Sequence, residues 1–395
     1  MIAKQPVLNI GLVGHIDHGK TTLLYQLTGT WADKHSEELK RGITIKLGYA
    51  DVIIYKDTSY NIKKKGKAVK YVSFVDAPGH EMLMATMLGG AAIIDAAVLV
   101  IAANEPFPQP QTKEHLLALE AKNVKNIIIV QNKIDLISKE DSLKQYKKIK
   151  EFIKGTIAEK AKIIPICAQQ GINIDKIFEE IDKIDIPKRD EKSKPLFFIA
   201  RSFDINKPGT EIPKLSGGVL GGVLKQGKLK VGDSIEIKPG LSSKKHDQTI
   251  YKTIKTKILG LRAGKNELDE ALPCGSLAIQ TSLDPFVTKS DSLNGCAVSL
   301  EGSLPEIASK VNLKITLFKE IVGSKEQIKI EPLKTKEALM LSVNTTTTVG
   351  FVEKISKDNV ELLLKIPIVP FKGSRVGIAR NYKGHWRLIG YGEVI

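Results

Sequence analysis

The chain has 395 residues, 42% hydrophobic and 26% charged, enough apolar sequence for more than one core and too much for a disordered or fibrous protein. Its most apolar stretch, residues 89–103, is interrupted by Asp95 and falls short of the roughly 20 residues a membrane-spanning helix needs. Residues 1–13 carry one lysine and lead into a glycine loop rather than a cleavage site, so neither membrane span nor signal peptide is expected and the reading is cytoplasmic.

The formal net charge is +16, from 60 Lys+Arg against 44 Asp+Glu. It fits a polyanionic partner, and equally a lysine-rich proteome, since only 7 of the 60 are arginine. Residues 1–190 hold 28 basic and 23 acidic side chains (+5), residues 191–395 hold 32 and 21 (+11). Cys167, Cys274 and Cys296 are far apart and form no C-x-x-C pair, which argues for buried free thiols over disulfides or a zinc ribbon.

In chain order, apolar runs at 7–13, 69–75, 96–102, 126–130 and 163–166 predict strands. Helical patterns at 20–27, 111–122, 141–161 and 173–184 lie between and after them. Continuous runs such as Ile127–Val130 suit strands buried on both faces. Residues 1–190 are therefore expected to form a doubly wound α/β domain with a mostly parallel sheet. A polar, proline-bounded linker spans 187–195. Beyond it, β-rich runs at 196–200, 234–237 and 277–280 are separated by Gly, Pro and Asp, a pattern of small closed barrels. A second break at 303–305 divides this part, giving expected β-barrel domains at 191–303 and 304–395.

Gly14-His-Ile-Asp-His-Gly19-Lys20-Thr21 fits G-x-x-x-x-G-K-[ST], between a predicted strand and a predicted helix, as a phosphate loop requires. There backbone N–H groups curl around a β-phosphate at a helix N-terminus, Lys20 reaches the β- and γ-phosphates, and the Thr21 hydroxyl binds Mg²⁺. Asn132-Lys133-Ile134-Asp135 follows the 126–130 strand. The Asp135 carboxylate can accept N1–H and the exocyclic amine of guanine, which adenine does not offer, and such a site rejects the wrong base by about 10⁴. Cys167-Ala168 before Gly171 can bring the Ala168 N–H to guanine O6.

Asp76-Ala-Pro-Gly79-His80 ends the 69–75 strand. It sets Asp76 to hold Mg²⁺ through water and the Gly79 N–H to sense the γ-phosphate. Arg41-Gly-Ile-Thr44-Ile brings Thr44 to the metal in the triphosphate state. His80 is either the group that orients the attacking water or a surface loop histidine.

With these residues in hand, the chain resembles the translational GTPases, whose phosphate loop reads G-H-x-D-H-G-K-T and whose switches read R-G-I-T-I and D-A-P-G-H. Arg41–Ala50, Arg201-Ser-Phe-Asp-Ile-Asn-Lys-Pro-Gly209, Gly217–Gly222 and Trp386–Gly392 narrow the resemblance to the γ subunits of archaeal and eukaryotic translation initiation factor two, over nearly the whole chain. The compact length looks archaeal. The resemblance implies a P-loop GTPase domain followed by two β-barrels. It also implies a GTP/GDP and Mg²⁺ requirement, a partner-stimulated hydrolysis, and delivery of methionylated initiator tRNA to the small ribosomal subunit. The resemblance further implies an α subunit docked on the second domain and a β subunit on the GTPase domain. The nucleotide set it implies is Gly14, Asp17, His18, Gly19, Lys20, Thr21, Thr22, Thr44, Gly79, Asn132, Lys133, Asp135, Cys167, Ala168 and Gln169. Thr21, Thr44, Asp76 and Asp17 are the metal set, and His80 with Asp17 the catalytic pair. Arg41 is expected to organise its switch, and Ile16 and Ile43 to keep His80 from the water until activation.

Tyr49 corresponds either to a position near the aminoacyl end of the tRNA or to an aromatic packing on the sheet edge. Many relatives carry a four-cysteine zinc knuckle between the switches, whereas residues 55–71 here contain no cysteine, so no zinc is expected. The lysine-rich run 63–70 reads as a basic hairpin tip, either solvated or touching RNA. Three other readings share many of these motifs: an elongation or selenocysteine factor, a regulatory GTPase of sulfate activation, and a scaffold with a dead GTPase fold. The last conflicts with Lys20, Thr21, Thr44, Asp76 and Asp135 all being present.

Overall fold

The computed structural model describes residues 3–31, 48–76, 93–245, 248–273, 275–321 and 328–395. Arg41, Ile43, Thr44, Gly79 and His80 lie outside the described residues. The chain divides into two compact units. One comprises Met1–Pro187, Leu317–Pro332 and Gly377–Tyr391, the other Lys188–Thr316, Leu333–Val376 and Gly392–Ile395.

The first unit contains a seven-stranded sheet. Its strands are β1 (Leu8–Gly14), β2 (Gly48–Lys56), β3 (Tyr60–Asn61), β4 (Lys67–Asp76), β5 (Ala96–Ala102), β6 (Asn126–Asn132) and β7 (Lys162–Pro165). Their order is β3-β2-β4-β1-β5-β6-β7. From β4 to β7 the neighbours are parallel, while β2 runs antiparallel to β4 and to β3. The helices are α1 (Lys20–Thr28), α2 (Pro110–Ala121), α3 (Lys139–Ile153) and α4 (Ile174–Lys183). β1 and β5 are buried along their whole length, as continuous apolar runs in a sheet covered on both faces require. Leu8, Ile10 and Leu12, with Val72, Phe74, Val98, Val100 and Val130, form one core with Leu23, Leu24 and Leu27 of α1 and Ile177, Phe178 and Ile181 of α4.

Two differences from the sequence reading have local causes. The helix expected over 141–161 runs Lys139–Ile153. It starts early because Ser138 caps it, its Oγ accepting the Asp141 N–H at 3.1 Å. It stops because Lys154 is extended and Gly155 is left-handed at φ 73°. The antiparallel pair β2 and β3 is absent from the sequence reading, which follows continuous buried runs; β2 alternates half-buried and buried residues instead.

Both expected barrels are closed and six-stranded. In the first, Ser234–Lys245, Ala297–Leu300, Leu196–Phe203, Val219–Gln226, Leu277–Thr281 and Gln248–Ala263 are neighbours in that order, and the last pairs back to the first. Phe197, Ile199, Leu220, Leu224, Ile235, Ile237, Ile258 and Ile279 fill it. The second is built from Ala308–Leu317, Asn359–Ile368, Thr346–Ser356, Ala338–Val343, Arg375–Tyr382 and His385–Val394. The Arg201–Gly209 run leaves the first barrel under tight control. Arg201 Nε donates to Asp291 Oδ1 at 2.9 Å, and the Ser202 N–H donates to the same oxygen at 3.1 Å. Asn206 then ties the loop across ten residues, accepting the Ser216 N–H and donating to the Ser216 carbonyl.

Candidate nucleotide-binding site

The C-terminal ends of β1, β4 and β6 and the loop after β7 converge, as open α/β sheets arrange their ligand crevices. Gly14 ends β1 at φ 144°, and a Cβ there would sit 2.3 Å from the Val100 carbonyl oxygen, so only glycine lets β1 turn against β5 at this point. Asp17 follows in the left-handed region at φ 57°, exposed, and His18 is buried. Gly19 caps α1 from a left-handed conformation, and Lys20 is the first residue of the helix, which leaves the helix N-terminus open to an anion.

Lys20 Nζ donates to the His15 carbonyl at 2.7 Å. Burial pushes its ammonium below the ordinary lysine range, against the opposing pull of the Asp76 and Asp17 charges. A desolvated cation of this kind gains from a phosphate set against it. Thr21 Oγ1 donates to Asp76 Oδ2 at 3.0 Å, and Asp76 is fully buried. The hydroxyl and carboxylate form an all-oxygen donor set of the type that hard Mg²⁺ takes. Thr22 lies one position further along α1, half-buried.

On the base side, Asn132 joins the two halves of the site. Its Nδ2 donates to the His18 carbonyl at 2.9 Å and its Oδ1 accepts the Ala168 N–H at 2.9 Å. The Ala168 N–H expected at guanine O6 is thus already engaged by Asn132. Lys133 is left-handed at φ 62°, Asp135 is exposed at the rim, and Gln169 is exposed beside the buried Cys167 and Ala168. Cys167 pairs with Ile172 across a bridge that closes this loop. Burial, and a hydrogen bond to Asp135, push the Cys167 thiol up, so the thiol stays protonated as a donor to the carboxylate. Tyr49 stands at the start of β2 opposite Val75, half-buried and well along the sheet edge.

Four residues that the sequence reading omits support this site. His115 on α2 is buried and accepts the Gly14 N–H on Nδ1 at 2.8 Å. Burial pushes its pKa down to about 3, which keeps that nitrogen an acceptor. The preceding residue, Glu114, is 1% exposed and meets Arg387, 12% exposed, at 2.6 Å. Glu105, after β5, lies 3.8 Å from Lys133 Nζ and 3.4 Å from His18 Nε2, which carries no proton for it while His18 is neutral. His18 itself donates Nδ1–H to the Val100 carbonyl at 2.9 Å, and burial pushes its pKa down to about 3. In sequence His115 sits at helical spacing among Leu116 and Leu119 and reads as core, so no local signal marks it.

The sequence profile of the elongation factor Tu GTP binding domain matches residues 5–186, and that of the C-terminal part of initiation factor eIF2 gamma matches residues 309–394. The chain is 52% identical over 403 residues to the translation initiation factor 2 subunit gamma of Methanocaldococcus jannaschii, covering 99% of this chain and 98% of that one. It is 51% identical to the protein of the same name from Thermoplasma acidophilum, over 99% and 97% of the two chains. Among solved structures, a bacterial selenocysteine-specific elongation factor superposes with a TM-score of 0.78 at 22% identity, covering 99% of this chain and 58% of that one. The elongation factor SelB of Methanococcus maripaludis, with a GTP analogue, gives 0.73 at 24% identity, over 100% and 79%. At such identity these two share the fold. No described helix is long and apolar enough to cross a membrane. On its full-length identity to those relatives, the chain belongs to the family of translation initiation factor 2 γ subunits, GTP-binding GTPases of translation initiation.

Proposed function

We propose that this chain binds GTP with Mg²⁺, carries methionylated initiator tRNA to the small ribosomal subunit, and hydrolyses GTP to GDP and phosphate as the step that switches it to release. The observation that carries the nucleotide part is the convergence of Lys20, Thr21 and Asp76 on one side and Asn132, Asp135 and Ala168 on the other, joined through the Asn132 amide. Lys20 neutralises the β- and γ-phosphates, with Gly14, Asp17, His18, Gly19 and Thr22 shaping the cradle. Asp135 reads the guanine edge over Lys133, with Cys167, Ala168 and Gln169 closing the base pocket. Because Asn132 already takes the Ala168 N–H, guanine O6 shares that donor with the amide. Thr21 and Asp76, joined by Asp17 and Thr44, are the residues to hold Mg²⁺, whose charge supports the transferring phosphoryl group. His80 orients the attacking water, and Thr44 and Gly79 report the third phosphate. These three carry over from the resemblance of their motifs.

We read the working modules as 1–190, 191–303 and 304–395, within a heterotrimer with α and β subunits. The α-subunit contact on the first barrel carries over from the resemblance. Tyr49 is the residue we assign near the aminoacyl end of the tRNA. The discriminating experiment is filter retention of methionylated initiator tRNA with the GTP-loaded and the GDP-loaded protein. Retention only with GTP, and only of initiator rather than elongator tRNA, is the expected result. Equal retention in both nucleotide states would sink the carrier function, and a preference for elongator tRNA would make this an elongation-type factor.

A further inference from the structure

The turn between β3 and β4 carries Lys63, Lys64, Lys65 and Lys67, all exposed. Yet its backbone is held as firmly as a functional loop. One side chain does most of this. Asn61 Oδ1 accepts the Lys63 N–H at 2.9 Å and the Lys65 N–H at 3.3 Å, while Nδ2 donates to the Lys65 carbonyl at 3.1 Å. Lys64 and Gly66 are both left-handed, at φ 58° and 84°, and a Cβ on Gly66 would lie 2.2 Å from the Lys56 carbonyl oxygen.

The legs of the turn are fixed to the last turn of α4. Tyr60 Oη donates to Asp182 Oδ2 at 2.9 Å. Lys70 Nζ donates to the carbonyls of Ile181, Asp182 and Ile184 at 3.0, 2.8 and 2.8 Å, satisfying the helix end with a cation as the dipole favours. Tyr60, Ile62 and Val69 pack on the sheet core.

Among the described residues none of these four tip lysines makes an ion pair. A left-handed non-glycine residue is disfavoured, and ordering each residue of a turn costs conformational entropy. Such ordering is of use where the spacing of the four lysine Cα positions matters, because a backbone already in place spares its partner that cost on binding. Lysine is depleted in protein–protein contacts, and the tip exposes no apolar side chain, Ile62 being half-buried. Ammonium groups on a fixed backbone instead suit phosphates.

We propose that the Asn61-clasped tip, Lys63 to Lys67, is a docking finger for the phosphate backbone of structured RNA. The finger acts in either nucleotide state and does not depend on the function assigned to the nucleotide site.

The test uses the full-length GDP-loaded protein and a labelled 20-base-pair RNA duplex of arbitrary sequence, titrated across a range of KCl concentrations. Replacing Lys63, Lys64, Lys65 and Lys67 together by serine should reduce the magnitude of the slope of log Kobs against log salt by up to about 3.6, near 0.9 for each phosphate no longer neutralised, and weaken binding at least about tenfold at low salt. The fourfold Lys→Arg variant keeps the charge and should bind like wild type. Asn61→Ala keeps every charge too, and should weaken binding about threefold or more because the array is no longer pre-set. GDP affinity, unchanged in all three, shows that the fold survives. A serine variant with wild-type slope and affinity overturns the finger, and wild-type binding by Asn61→Ala overturns its pre-organisation.

Discussion

The nucleotide end of the sheet and its antiparallel edge use polar residues in opposite ways. Where β1, β4 and β6 end, each functional group has a specified partner: Thr21 meets Asp76, and Asn132 joins His18 to Ala168. At the β2–β3–β4 edge the backbone is specified by Asn61, and the lysines it presents have no protein partner among the described residues. On the functions proposed above, geometry selects the ligand in the first case and charge density in the second. Conservative replacements should therefore fail at the first and succeed at the second.

The largest contrast is expected at Asp135. Asp135→Asn exchanges an acceptor for a donor opposite the guanine N1–H and amine. It should move base preference from guanine to xanthine by about 10⁴ in the ratio of affinities, the scale on which hydrogen-bonding sites reject a mismatched edge. Competition between labelled GDP and XDP measures it, and an unaltered ratio would remove Asp135 from the base pocket. Next comes Arg387→Ala, which strips an ion-pair partner from a carboxylate only 1% exposed. Breaking a buried pair on one side costs about 3–5 kcal/mol, read as a lowered urea midpoint. Glu114 adjoins His115, the acceptor of the Gly14 N–H, so GDP affinity should fall as well. A normal midpoint with normal GDP affinity would separate the pair from the site.

Lys20→Arg and Lys20→Ala sharpen the contrast with the tip. A charged hydrogen bond to phosphate contributes about 1.5–3 kcal/mol, so Lys20→Ala should weaken GDP about a hundredfold. Lys20→Arg should do nearly as badly, since a larger planar guanidinium replaces a compact ammonium that is buried and held 2.7 Å from the His15 carbonyl. If arginine restored binding, Lys20 would be acting as a diffuse charge, like the tip lysines.

The same contrast explains what could be read in the sequence. The strands from β4 to β7 and the closed barrels were legible because continuous apolar runs and turn-bounded short strands are written locally. The proposed site was legible in the spacings around Lys20, Asp76 and Asp135, because the phosphate and base chemistry proposed for them fixes residue types at set intervals. β2 was not, since alternation on a half-covered edge strand gives a weaker signal than a buried run. His115, Glu105 and Arg387 were not, because their partners are remote in sequence: His115 and Gly14 stand 101 residues apart, Arg387 and Glu114 stand 273 apart, and Glu105 reaches back to His18. Asn61 was also missed: its clasp consists of side-chain bonds to its own turn, which a run of lysines hides.

The smallest single-residue effect expected is that of His115 on pH dependence, and it bears on whether the site end is as tightly specified as its hydrogen bonds indicate. His18 and His115 are both held neutral by burial, with pKa values down to about 3 from 6.5. The unfolded chain takes up protons on these side chains below about 6.5, whereas the folded one does not until about 3. Their contribution to stability is thus fully present above 6.5 and is lost as pH falls toward 3, by about 1.4 kcal/mol per pH unit for each histidine. Urea unfolding near neutral pH and near pH 5 measures this. His115→Gln keeps a side-chain oxygen to accept the Gly14 N–H and removes the proton uptake, so the fall should shrink by one histidine's share. Should the wild-type midpoint stay level over that range, the rings are not buried as neutral acceptor and donor, and the tie from α2 to the phosphate loop loses its support.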